Sequence, residues 1–70
     1  MGSNEKTKLR TLLKYLVEQN REHSQEVKDW ADKVRAMGEF KVAEEMLKAS
    51  RAMEKASSLL SQSLERLKEG

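Results

Sequence analysis

The sequence predicts an all-α protein, a long antiparallel two-helix hairpin with helices over about 5–37 and 40–68. Two such hairpins are expected to pair into a four-helix bundle. Three observations carry this reading. Apolar residues recur at alternating steps of four and three along most of the chain. There is no proline, and the only glycine between the ends is Gly38. The apolar stripe is also wider than one partner helix can cover.

The first helix is read from the series Leu9, Leu13, Leu16, Asn20, His23, Val27, Trp30, Val34, Met37. This is a seven-residue repeat held for four heptads, the period of a coiled-coil seam. Residues 1–4 are expected to form a flexible N-terminus and 5–70 a single domain. Met1-Gly2-Ser3 is followed by no apolar signal region.

Gly38 suits the left-handed position that closes a helix. Phe40 is expected to pack over the turn. A connection this short makes the two helices antiparallel neighbours.

The second helix is read from Val42, Met46, Ala49, Met53, Ala56, Leu60, Ser63, Leu67. Facing positions of the two series, from 34 with 42 to 9 with 67, add to 76 throughout. Two independently read patterns thus predict one hairpin. Trp30 and Met46 are expected to fill a bulky layer near the turn. The smaller Val42, Ala49, Ala56 and Ser63 are expected to let the helices approach closely.

One seam leaves apolar residues over. Leu12 and Val17 flank the first series; Ala43, Ala52, Leu59 and Leu64 flank the second. A hairpin cannot bury so wide a face by itself, whereas a homodimeric four-helix bundle can. The alternative is a three-helix bundle with the first helix broken near 20–24, where Asn20 and Ser24 are potential caps.

Composition agrees with long helices. The chain has 70 residues, 14 basic and 12 acidic, with 37% charged and no cysteine. A core this small is marginal alone and usually leans on a disulfide, a metal or a partner chain. Disulfides are excluded, and one histidine cannot build a structural zinc site. A partner chain is the remaining support. The lack of cysteine suits the cytoplasm. No apolar run reaches the length of a membrane span. A net charge of +2 does not mark a nucleic-acid binder.

Asn20 and His23 form a polar layer in the predicted seam. A buried Asn sets register and oligomeric state, and His23 is expected to bond Asn20, Ser57 or a second copy. The alternative reading makes His23 of two chains a divalent-metal site at the bundle centre. The di-iron bundle signature needs Glu three residues before His, and position 20 is Asn. Met46 and Met53 lie about 10 Å apart along a helix, too far to share one ion. Lys6, Lys8, Arg10 and Lys14 make the first turns basic, which supports a further alternative, RNA binding along the first helix. Enzymatic activity is not expected. There is no cysteine nucleophile, no base beside the serines and no phosphate-binding glycine loop.

Asn20-x-x-His23, Trp30-Ala31, Gly38 and Val42-Ala43-Glu44 resemble a group of small, uncharacterised prokaryotic helical domains. Members tend to carry further histidines one and two turns before the Asn-x-x-His pair, which implies a metal-linked role. Here Tyr15 and Gln19 stand at those places, so only His23 carries over. The combined expectation is a non-enzymatic domain that acts through homodimerisation and protein association.

Overall fold

A computed structural model describes residues 2–69, with side chains from 4 to 68. It contains two helices, α1 (Gly2–Ala36) and α2 (Phe40–Glu69), packed side by side in a rod 55 Å long. Helix α1 runs unbroken through 20–24, so the three-helix alternative does not hold. It also covers residues 2–4, expected to be flexible; Met1 and Gly70 lie outside the described residues. No proline or interior glycine interrupts either helix. Glu5 opens α1, and Lys33 and Arg35 close it, each sign matching the helix dipole.

The turn is a Schellman closure. The Glu39 amide donates to the Val34 carbonyl (3.2 Å) and the Gly38 amide to the Arg35 carbonyl (2.9 Å). Gly38 holds φ at +89°, a conformation that costs other residues about 1–2 kcal/mol. The Glu39 carbonyl then accepts the Ala43 amide (3.0 Å), which makes Glu39 the N-cap residue of α2. Phe40 does not cover this turn; it is largely exposed, because it stands at the end of the hairpin level with Gly38, which offers no side chain to pack on.

The seam between the helices differs from the expected one by a rotation. The most deeply buried residues are small: Ser24, Ala31, Ala43, Ser50 and Ser57, joined by Val17 and Leu13. Val17, Ser24 and Ala31 lie seven apart, as do Ala43, Ser50 and Ser57. Short side chains let the two backbones approach, and helix spacing follows the size of the contact residues. Leu13, Asn20, Val27 and Val34 with Met46, Met53, Leu60 and Leu67 flank this strip. Leu13 is buried; the other seven are half-buried. Half of each predicted series is therefore in the seam region. The rest lies one position away from the true contact strip: Leu16 and Ala56 are half-buried, and Leu9, His23, Trp30 and Met37, with Val42, Ala49 and Ser63, are exposed.

The register survives that rotation. Contacts across the seam join positions 24 with 50, 24 with 54 and 28 with 54. These pairs add to 74, 78 and 82, centred on 78 against the expected 76. The Trp30–Met46 layer does not form. Trp30 is 56% exposed and lies on the flank, with the Lys33 ammonium 4.5 Å from its ring centre, a cation–π contact.

Candidate functional site

The two flanks of the hairpin differ in chemistry, and the heptad spacing creates the difference. On one side, Lys14, Arg21, Lys28 and Arg35 of α1 recur every seven residues. Glu54 reaches this side from α2 and pairs with Lys28. Ser24 Oγ–H faces two acceptors there, the Ser50 carbonyl (3.0 Å) and Glu54 Oε1 (3.2 Å). The Lys28 hydrogen bond, then the Ser24 hydrogen bond, hold the Glu54 carboxyl below its ordinary pKa. Arg21, Ser24, Gln25, Glu54, Ser57 and Ser58 line an open groove of about 360 Å³ on this side. Glu54 offsets the cations in that groove, and Asp29 accepts the Gln25 amide one turn away (3.0 Å).

Because Lys28 and Glu54 mark one side of both helices, the opposite flanks of both helices share the other side. That side is apolar. From α1 it carries Leu9, Leu16, His23, Trp30 and Met37, and from α2 Val42, Ala49, Ala56 and Ser63. Beyond them lies a rim of Leu12, Gln19, Glu26 and Lys33 on α1, with Glu45, Ala52, Leu59 and Arg66 on α2. Leu12 is 50% and Leu59 55% exposed. The half-buried Leu16, Val27, Val34, Met46, Met53, Leu60 and Leu67 border the same side. The close seam explains this. Small residues seal the helix–helix contact, so the large apolar side chains are pushed to one face and stay partly wet.

Of the residues predicted for the core or interface, Leu13 and Val17 are buried. Leu16, Asn20, Val27, Val34, Met46, Met53, Leu60, Leu64 and Leu67 are half-buried, and Leu9, Leu12, His23, Trp30 and Leu59 are exposed. His23 does not sit in the α1–α2 seam. Ser57, one of its expected partners beside Asn20 and a second copy, donates instead to the Met53 carbonyl (3.0 Å). Among the described residues no three His, Cys, Asp or Glu side chains converge to hold a metal ion.

Sequence reading missed Ser24, Ser50 and Ser57 as seam residues. Ser24 and Ser50 were hidden by polarity, although their spacing matches Val17, Ala31 and Ala43. Ser50 Oγ is buried with no hydrogen-bond partner among the described residues. Neither described helix is long and apolar enough to cross a membrane.

Residues 9–67 match a family model described as a domain of unknown function, DUF8180. The match spans the apolar pattern from its first leucine to its last. No curated protein and no solved structure matches the chain.

Proposed function

The chain belongs to the DUF8180 family, and we propose that this domain of unknown function is a non-enzymatic association module of the cytoplasm. Its apolar face binds a second copy, and the two hairpins form a four-helix bundle. The observation that carries this is the exposure of Leu12, Trp30 and Leu59 beside a continuous band of half-buried large residues on one side of the hairpin. Contiguous apolar surface of this kind on a small soluble domain marks a contact surface. In a bundle each helix has two neighbours. The seam uses one side of α1 and α2, and the apolar flank lies roughly a quarter-turn around each helix from it, where a second neighbour packs. The same band then covers itself twice over in the pair. Light scattering across a dilution series tests this. A mass that rises with concentration to twice 8.1 kDa supports the reading, and a constant mass of one chain rejects it.

A second reading, RNA binding, draws on the ladder of Lys14, Arg21, Lys28 and Arg35 on the opposite side. Cations spaced along one helix suit a phosphate backbone. Salt-dependent retention of RNA, lost on Lys14→Ala with Arg21→Ala, supports it. No retention at low salt rejects it.

A further inference from the structure

We propose that the second copy lies face to face with the first but reversed, its turn at the opposite end, with the twofold axis crossing the hairpin at the level of His23. This rests on the self-association reading above. A closed dimer buries the same patch of both copies. Two face-to-face hairpins can do so in only two ways. An axis along the hairpin keeps the turns together and sets α1 on the partner's α2. An axis across it puts the turns at opposite ends and sets α1 on α1 and α2 on α2.

Two independent patterns favour the axis across. On the α2 rim, Glu45, Ala52, Leu59 and Arg66 lie seven apart. Reversal sets Glu45 against the partner's Arg66, opposite charges, and Ala52 against the partner's Leu59, small on large. These pairs centre midway between positions 55 and 56. On the α1 flank, Leu9, Leu16, Trp30 and Met37 are symmetric about His23. Reversal sets Leu9 on the partner's Met37, Leu16 on the partner's Trp30, and His23 on the partner's His23.

The two centres must lie at one height for a single axis to exist, and they do. Level positions in the hairpin add to about 78, from the contacts of Ser24 and Lys28 with α2, so position 23 stands level with position 55. The other axis sets Lys33 near the partner's Glu45. It leaves both rim leucines on polar chains, Leu12 against the partner's Arg66 and Leu59 against the partner's Gln19, whereas reversal leaves one, Leu12 against the partner's Lys33.

The chain has no cysteine, so single labels are clean. A nitroxide on Glu39→Cys, in the turn, reads the turn-to-turn distance by pulsed EPR. The proposal expects about 48 Å, from 32 residues of helical rise, 16 in each copy between position 23 and Glu39. Turns at the same end give about 15 Å, a bundle diagonal. Oxidation of His23→Cys is expected to yield a covalent dimer, since both copies of that residue meet at the axis. His23 and Glu39 are exposed, and unchanged circular dichroism confirms that each variant folds. A dimeric mass with a short turn-to-turn distance overturns the orientation alone. A single-chain mass at every concentration overturns the association reading with it.

Discussion

Ser24 donates its hydroxyl hydrogen across the seam to the backbone carbonyl of Ser50, 3.0 Å away, and both residues are buried. A side chain can reach a backbone atom of the neighbouring helix only where the helices lie close. Ser24→Ala is expected to lose about 1 kcal/mol, the usual net value of one such bond. Ser24→Leu should cost about 1–3 kcal/mol through overpacking. Urea unfolding of the two variants checks this, and a leucine variant as stable as the parent would refute the close seam.

Ser50 offers the opposite test. Its hydroxyl is buried and has no partner among the described residues, so the group is desolvated without return. Ser50→Ala removes that cost at nearly the same volume and puts the best helix former in its place. The expected result is equal or greater stability, by up to about 1 kcal/mol, read as a raised unfolding midpoint.

At the turn, Gly38 holds a positive φ with open space where a Cβ would stand. Gly38→Ala therefore meets backbone strain and no clash. The expected loss is about 1–2 kcal/mol, with Gly38→Asn losing less because Asn tolerates the left-handed region. Thermal unfolding of the three chains should rank Gly above Asn above Ala.

Glu54 sets the pH dependence of the polar side. Its carboxyl pKa is lowered, first by the hydrogen bond from Lys28, then by that from Ser24. A depressed folded-state pKa means that the folded state binds the proton less readily than the unfolded chain. The contribution of Glu54 is thus present above its unfolded pKa and is lost as pH falls through the lowered folded value. Carbon-detected NMR titration should place the Glu54 carboxyl below the ordinary glutamate range. Lys28→Met should move it back towards the ordinary range.

Hairpin topology was legible because Gly38 and the absence of proline leave one place to turn, and because helical period persists on both sides of it. Register was legible to within two in the paired sum, since periodicity constrains height along a helix strongly. Rotation was not. Ranking residues by apolarity selects the widest hydrophobic band, and that band centres on Leu16, Trp30 and Leu60. The true contact strip centres on Ser24 and Ser50, where small size governs approach. The same shift explains Trp30 and His23, which stand on the outer flank and not in the α1–α2 seam. Lys28–Glu54 was invisible for a related reason: which charges meet across a seam depends on rotation.

The central claim is that the apolar face carrying Leu12 and Leu59 is covered by a second copy. Sedimentation equilibrium of the parent beside the Leu12→Glu, Leu59→Glu double variant tests it most directly. Both residues are at least half exposed in the single hairpin, so the variant keeps its helices, as circular dichroism can verify. The account predicts twice the 8.1 kDa chain mass for the parent at micromolar concentration and one chain mass for the variant. A parent that sediments as a single chain, or a double variant that dimerises as tightly as the parent, would contradict it.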